Sequence, residues 1–189
     1  MVKVSNAFMR DEHETPDVPK SRGVIWVLVC VLILVLDQAS KIWISSRLEF
    51  GQSWWVTDWL NIVRVHNPGA AFSLLADAGG WQRWFFTALG LGAMAWMAWM
   101  IHTNLNRGLL CMAMSLLLGG AAGNVVDRIR LGEVVDFIQV HGNWLSFAFA
   151  GGYFPSFNLA DSAISLGVVL MLWEEWWFSR KHKPSPPSD

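Results

Sequence analysis

Two aspartates with apolar neighbours are the side chains of this sequence best suited to chemistry. Asp136 lies in the segment LGEVVDFI and Asp161 in the segment FNLADSA. Two carboxylates that meet where water is scarce cannot both ionise easily, so the pair shares a proton. One carboxylate can then activate a water molecule while the other protonates a carbonyl group and its leaving group. The same pattern allows a plainer interpretation, in which each aspartate separately caps a helix or pairs with an arginine.

Other polar residues are spaced so that they can support such a pair. Asp37 and Lys41 have i,i+4 spacing, so they share one face of a helix, and we expect a structural ion pair rather than direct catalysis. Asn124 and Arg128 are one helical turn apart and can hold polar groups of neighbouring helices in place. They follow small residues at 119–123, whose GxxxG spacing indicates close helix packing.

Other reaction classes have little support in the sequence. No serine lies in a G-x-S-x-G context, and the five histidines are dispersed, without an HExxH motif. Cys30 and Cys111 each lie in an apolar run, with no CxxC or Cys/His spacing. We therefore expect no metal site, no cofactor and no disulfide framework.

The composition indicates that these residues belong to a membrane protein. Of the 189 residues, 53% are hydrophobic and 15% are charged, and 13 are tryptophan. The mean hydropathy is +0.35, whereas a soluble domain carries about 25% charged residues. The net charge of −1 gives no basic field that would attract nucleic acid, so we expect no nucleic-acid partner.

Four apolar stretches predict an all-α membrane protein with four transmembrane helices. They cover residues 24–44, 84–101, 109–126 and 157–173, and each approaches the length that a bilayer core requires. Tryptophans at or near their ends are typical of an interfacial aromatic belt. The distribution of Lys and Arg between the loops favours both termini in the cytoplasm.

This topology brings the unusual polar residues to one membrane boundary, because the first and third helices end there and the fourth begins there. We predict a cytoplasmic tail at 1–22, a membrane domain at 23–178 and a second cytoplasmic tail at 179–189. The loops at about 48–80 and 130–156 then lie on the outer side. A chain that buried charges at random would not gather them in this way.

The outer loops carry weaker patterns of their own. Residues 54–67 mix Trp, Val, Ile and Leu with polar residues and break at a turn signal, Asn67-Pro68-Gly69. Residues 145–149 alternate between large and small side chains, which is typical of a strand. We therefore expect a small β element on the outer membrane surface.

Taken together, these motifs resemble those of bacterial lipoprotein signal peptidase, also called signal peptidase II. Any one block of the resemblance would be weak, but all of them in this order at membrane spacing are specific. The blocks are DQASK at 37–41, NPGAAFS at 67–73, GGAAGNVVDR at 119–128 with GEVVDF at 132–137, and FPSFNLADS at 154–162.

The resemblance implies a fold, a substrate and a location. The fold would be four transmembrane helices with a small periplasmic β-cradle and a short periplasmic helix, in the bacterial inner membrane. The substrate would be a prolipoprotein whose cysteine carries diacylglycerol, cut just before that cysteine at the periplasmic face. The family uses no metal and is the target of the cyclic peptide globomycin. We expect a monomer in contact with membrane lipid.

The resemblance also implies roles for individual residues. Asp136 and Asp161 match the catalytic pair. Three of the matching support residues, Asn67, Arg128 and Asn158, are expected to touch the substrate backbone, and Asp127 is expected to be structural. The full set of binding or support positions is Asp37, Lys41, Asn67, Asn124, Arg128 and Asn158.

One departure and two rival functions remain. The interval between Asp136 and Asp161 is several residues longer than the family pattern leads us to expect. We expect this insertion to reshape the mouth of the site without moving the two aspartates, because a surface loop absorbs extra length at little entropic cost. A small transporter or proton channel would also use intramembrane carboxylates, but it predicts polar residues throughout the membrane depth. A non-catalytic assembly factor predicts that both aspartates tolerate replacement by asparagine.

Overall fold

The computed structural model describes residues 21–69 and 80–181. Residues 70–73 of the NPGAAFS block and most of both predicted tails lie outside the described residues. Four long helices and one small sheet make up this described part of the chain. In chain order the elements are α1 (Ser21–Arg47), β1 (Ser53–Thr57), β2 (Leu60–Asn67), α2 (Trp81–Thr103), α3 (Gly108–Leu131), β3 (Val134–Val140) and α4 (Leu159–Lys181), with 3-10 turns at Asn143–Leu145 and Ala150–Gly152.

Three of the described helices are long and apolar enough to cross a membrane, namely Gly23–Arg47, Trp81–Thr103 and Gly108–Leu131. They contain the first three predicted spans. Most of the fourth predicted span, 157–173, lies in α4. This helix is not among the three, and its apolar residues are interrupted by Asp161 and by the pair Glu174-Glu175. The count of four spans therefore stays a prediction.

Helix α3 lies at the centre of the helical bundle, in contact with α1, α2 and α4. Small residues allow the close approach: a Cβ atom on Gly119 would lie 2.8 Å from the carbonyl oxygen of Cys30 in α1. Gly123 faces Asp37 in the same helix α1, and Gly120 faces Ala160 in α4. The close packing predicted from the GxxxG spacing is confirmed, since the backbones approach where side chains are missing.

The three strands form an antiparallel sheet in the order β1-β2-β3 beside the end of α1. Phe137 of β3 packs with Ile44 and Leu48 at the end of α1, which joins the sheet to the bundle. From β2, Arg64 donates to the carbonyl oxygens of Ser45 and Leu48 at 3.1 and 3.0 Å. These bonds satisfy carbonyl groups that a helix end leaves without partners.

The β element predicted at 54–67 is confirmed by β1 and β2. The strand predicted at 145–149 is wrong, because this segment is a 3-10 turn followed by further turns. The chain closes on itself there, with the N–H of Gly142 donating to the carbonyl of Gly152 at 2.9 Å. Alternating side-chain size says nothing about a partner strand, and this segment has none within the described residues.

The third strand of the sheet, β3, follows α3 almost directly. Gly132 ends α3 in the left-handed conformation, with φ of 89°, which glycine adopts at little cost. This reversal sends β3 back across the end of the bundle and brings Asp136 beside β2, opposite Val65. The short helix implied by the resemblance has no counterpart among the described residues beyond the two 3-10 turns.

Candidate active site

The fold brings the two aspartates together through a pairing that links β3 to the start of α4. Asp136 lies within β3, and Asp161 lies in the first turn of α4. The carbonyl oxygen of Phe157 accepts hydrogen bonds from the N–H groups of Phe137 at 3.0 Å and Ile138 at 2.8 Å. Because Phe157 lies two residues before α4 begins at Leu159, this pairing places the beginning of α4 beside β3.

Both carboxylates are held by the residue that follows Phe157. The side-chain amide of Asn158 donates to Asp136 Oδ1 at 2.8 Å, and its backbone N–H donates to Asp161 Oδ2 at 3.2 Å. The remaining oxygens accept from two other amides: Asn67 donates to Asp136 Oδ2 at 3.1 Å, and Asn124 to Asp161 Oδ1 at 2.8 Å. All four carboxylate oxygens thus have a neutral donor, which fixes their orientation without neutralising their charge.

The plainer interpretation of Asp161, as a helix cap, is correct for one of its interactions. Asp161 and Asn158 cap the beginning of α4 reciprocally, since the N–H of Asp161 donates to Asn158 Oδ1 at 2.9 Å. The bond from Asn124 to the second carboxylate oxygen is additional to this cap. Asp136 caps no helix, and among residues 21–69 and 80–181 it forms no salt bridge.

The surroundings of Asp136 favour its protonated form. Its side chain is buried, with 2% of the residue exposed. Burial, followed by the nearby negative charge of Asp161, raises the pKa of Asp136 to about 7, although the hydrogen bonds from Asn67 and Asn158 partly oppose the rise. Near neutral pH the pair of carboxylates can therefore hold one proton between them.

Lys41 is the centre of a second, fully buried cluster next to the pair. Its Nζ atom lies 2.8 Å from Asp37 Oδ2, 2.8 Å from Asp127 Oδ2 and 3.1 Å from Asn124 Oδ1. An ammonium group has three hydrogens, so these acceptors use all of them. The ion pair predicted for Asp37 and Lys41 is confirmed. Through Asn124, which also donates to Asp161, the cluster supports the pair of aspartates.

Asp37 also joins α1 to the beginning of α4. Its Oδ1 atom accepts a hydrogen bond from the N–H of Ala160 at 2.9 Å. A Cβ atom on Gly123 would collide with Asp37 Oδ2, so the carboxylate reaches this position only because residue 123 is glycine. The spacing of small residues in α3 therefore admits a charged side chain as well as a neighbouring helix.

The structure adds Gln38 to the residues expected from the sequence. Its amide nitrogen donates to Asp127 Oδ1 at 2.9 Å and to the carbonyl oxygen of Gly123 at 3.2 Å. Asp127 in turn accepts from the N–H of Val135 at 3.2 Å, which connects α3 to β3. These contacts agree with the structural role expected for Asp127. The position of Gln38 inside the DQASK block was the available signal.

Arg128 and Asn67 lie at the edge of the site and are only half-buried. The guanidinium of Arg128 donates to the carbonyl oxygen of Asn124 at 3.3 Å and lies 5.4 Å from the ring of Phe86. Asn67 accepts from the N–H of Gly69 at 2.9 Å, which orients its amide toward Asp136. All the predicted site residues therefore meet in one region where α1, α3, α4 and the sheet converge.

A family model described as signal peptidase (SPase) II matches residues 29–177, which is most of the chain. The chain belongs to the signal peptidase II family. As a member of that family it is an enzyme, a hydrolase of the aspartic peptidase class. The region that holds Asp136 and Asp161 lies within the matched residues.

Relatives of this signal peptidase II family member match along most of its length. A lipoprotein signal peptidase of Cupriavidus necator is 46% identical over 182 residues, covering 96% of this chain and 100% of the relative. One from Cupriavidus pinatubonensis is 47% identical over 159 residues, covering 84% and 86%.

Two solved structures, each of a bacterial membrane enzyme, share the fold. One has a TM-score of 0.72 and 30% identity, covering 87% of this chain and 95% of the other. The second has a TM-score of 0.66 and 32% identity, covering 79% and 91%. The fold is thus that of a mostly helical membrane enzyme with a small three-stranded sheet.

Proposed function

We propose that this enzyme removes signal peptides from diacylglyceryl-modified prolipoproteins and cuts just before the lipidated cysteine. Membership of the signal peptidase II family and the relatives named lipoprotein signal peptidase support the substrate class. The observation that carries the proposed chemistry is the placement of Asp136 and Asp161 on either side of Asn158. Two carboxylates held in this way suit the activation of one water molecule for attack on an amide.

The surroundings of the two aspartates suggest which one donates a proton. Asp136, with its pKa raised to about 7, holds the proton and passes it to the scissile carbonyl oxygen. Asp161 lies in the first turn of α4, where a negative charge is stabilised, so it accepts a proton from the attacking water. A C–O bond forms and gives a tetrahedral diol; the C–N bond then breaks as the proton on Asp161 moves to the leaving nitrogen and one diol hydroxyl returns its proton to Asp136, which leaves a carboxylic acid.

The remaining site residues then divide into two groups. Asn158 is fully buried, and its amide and carbonyl groups are engaged, so a positioning role suits it better than substrate contact. Lys41 and Asn124 hold the pair from the other side. The half-exposed edge residues Asn67 and Arg128 are the candidates for contact with the substrate backbone.

The proposal includes a membrane arrangement. Helix α4 is the fourth span, both termini are cytoplasmic, and the site lies at the periplasmic face of the inner membrane. Support comes from apolar side chains that α4 leaves exposed, including Val169 at 61% and Leu172 at 61%. Near the other end of α4, Arg107 forms an ion pair with Glu174, so the charge that interrupts the apolar stretch has a partner. The enzyme acts as a monomer and is blocked by globomycin.

The test compares Asp136→Asn and Asp161→Asn with the wild-type enzyme on a lipidated prolipoprotein in detergent. Each substitution should lower the cleavage rate by about 10²- to 10⁴-fold, since it removes an acid or base group. Asp58→Asn, at an exposed turn of the sheet, is the matched control and should cleave normally. Substantial cleavage by either site variant would exclude the dyad, and equal cleavage of an unlipidated precursor would exclude the substrate.

A further inference from the structure

The segment that connects the two aspartates contains no charged residue. Residues 137–160 include no Asp, Glu, Lys or Arg. Within it, residues 142–154 form what we call the aromatic loop, which leaves several large apolar side chains uncovered. Phe147 is 89% exposed and Trp144 is 62% exposed, and Tyr153 and Phe154 are also exposed. An apolar patch of this kind on a protein surface marks an interaction site.

The backbone of the aromatic loop satisfies much of its own hydrogen bonding. The loop is closed at its base by the bond from the N–H of Gly142 to the carbonyl of Gly152, and by a bridge between His141 and Tyr153. Five further N–H groups donate to carbonyl oxygens inside the loop. The donors are Leu145, Ser146, Ala148, Phe149 and Gly152. Internal satisfaction of this kind is what a backbone needs in order to enter an apolar medium.

The aromatic loop forms most of the lining of an open cavity whose surface is apolar. Its volume is about 360 Å³, and no polar side chain lines it. Edge-to-face contacts between the rings of Phe149, Phe154 and Phe157 form one wall, with centroid distances of 5.0 and 5.9 Å. The lining residues are Val140, Trp144, Leu145, Phe149, Phe154 and Phe157. Such a cavity offers a peptide or a lipid headgroup no hydrogen-bonding partner, but it fits hydrocarbon.

A chain of aromatic contacts connects this loop, through strand β1, to the end of a membrane-spanning helix. Trp43, near the end of α1, lies 5.9 Å from Trp54 of β1. The next residue of that strand, Trp55, lies 5.5 Å from His141, which lies 5.5 Å from Tyr153 of the aromatic loop. Tryptophan and tyrosine are the residues that accumulate where a bilayer meets water.

We propose that the aromatic loop inserts into the membrane leaflet on the side of the active site, with a phospholipid acyl chain in the apolar cavity. The loop then acts as an anchor outside the spanning helices. One of its ends continues into β3, which carries Asp136, and the other leads to Asn158. Insertion therefore holds both sides of the dyad at a constant depth relative to the bilayer. The inference concerns lipid contact and does not depend on the proposed cleavage reaction.

The experiment uses the full-length enzyme in phosphatidylcholine and phosphatidylglycerol vesicles, with an environment-sensitive fluorophore on Phe147→Cys. The matched control carries the fluorophore on Asp58→Cys, at the exposed turn between β1 and β2. Labelling of the wild-type chain in parallel corrects for Cys30 and Cys111. Two quenchers are compared: aqueous iodide, and lipids that carry a doxyl group high on an acyl chain.

We expect iodide to quench the label at position 58 several-fold more strongly than the label at 147, and the doxyl lipids to show the reverse order. Equal iodide quenching at both positions would place the loop in water and overturn the proposal. Protection of position 147 from both quenchers would mean that protein covers the loop, whether a second copy or another partner, and would overturn it too. The measurement needs no substrate, so its outcome is separate from that of the cleavage test.

Discussion

The side-chain amide nitrogen of Asn158 donates to Asp136 Oδ1 at 2.8 Å, while the oxygen of the same amide accepts from the N–H of Asp161 in the first turn of α4. One buried residue therefore does two things: it orients one carboxylate and caps the helix that carries the other. The two tasks use different atoms, so they can be separated by substitution.

Asn158→Ser should separate the orientation of Asp136 from the capping of α4. Serine is also a good helix cap, but it has no amide that can reach Asp136. We expect a clear loss of cleavage, with some loss of stability because the same amide also donates to Asn124 Oδ1 at 3.2 Å and to the carbonyl of Val135 at 3.3 Å. Asn158→Ala should lose the cap as well, at a further cost of about 1 kcal/mol in stability. Wild-type cleavage by Asn158→Ser would show that the bond to Asp136 has no part in catalysis.

The raised pKa of Asp136 predicts the pH dependence of the reaction. As pH rises through about 7, Asp136 loses the proton that the proposed mechanism requires. kcat/KM should then fall on the alkaline side, which a pH series with lipidated substrate would measure. Asn67→Ala should move this decline to higher pH, since the hydrogen bond from Asn67 favours the charged carboxylate. A profile that stays flat to high pH would rule out Asp136 as the acid.

The same pKa predicts how the stability of the protein depends on pH. Folded Asp136 holds its proton more tightly than the unfolded chain does, so stability should decline as pH rises from the ordinary carboxyl range through about 7. Asp136→Asn cannot ionise and should escape the decline. Its advantage over the wild type in thermal unfolding should be larger at high pH than at low pH, reaching up to about 4 kcal/mol. A constant difference would contradict the assignment.

Lys41→Met should destabilise the fold strongly. The substitution leaves Asp37 and Asp127 buried without their cation, and breaking a buried pair in this way costs about 3–5 kcal/mol. Thermal unfolding in detergent would measure the loss. Adding Asp127→Asn to Lys41→Met removes one of the stranded charges and should restore part of the stability. If the double variant unfolds at a lower temperature than Lys41→Met, the proposed cause is wrong.

Gly123→Ala should separate α1 from α3 at the site, because the added methyl group would collide with the carboxylate of Asp37. We expect lower thermal stability and reduced cleavage, since Asp37 also holds the N–H of Ala160. Gly92→Ala in α2 is the control, where nothing lies within 4 Å of an added Cβ atom. Alanine there should be neutral or stabilise by about 0.5–1 kcal/mol. Equal effects of the two substitutions would refute the steric explanation.

Much of the fold could be predicted from the sequence because the signals are local. An apolar stretch of bilayer length indicates a helix wherever it occurs, and three such stretches became α1, α2 and α3. The i,i+4 spacing was enough to pair Asp37 with Lys41, because the helix itself brings them together. The family resemblance added the identity of the two aspartates, which spacing alone left open between a dyad and two separate caps.

The remaining features depend on which distant elements meet. The pattern at 145–149 looks like a strand, yet the chain there closes through Gly142 and Gly152, and the third strand is β3 at Val134–Val140. No local pattern distinguishes these outcomes. A strand needs a partner along its edge, and the partner of β3 is β2, far away in the sequence.

The sequence by itself determined that this chain lies in a membrane, where its first three spans run, and which carboxylates are available. Only the tertiary structure decided what each of them touches. Lys41 meets Asp127, Asp37 meets Ala160 and Asn158 meets Asp136 across helices and strands that are distant along the chain. The physical reason is that hydropathy and helical spacing act over a few residues. Hydrogen bonds between buried side chains exist only after four separate elements have packed.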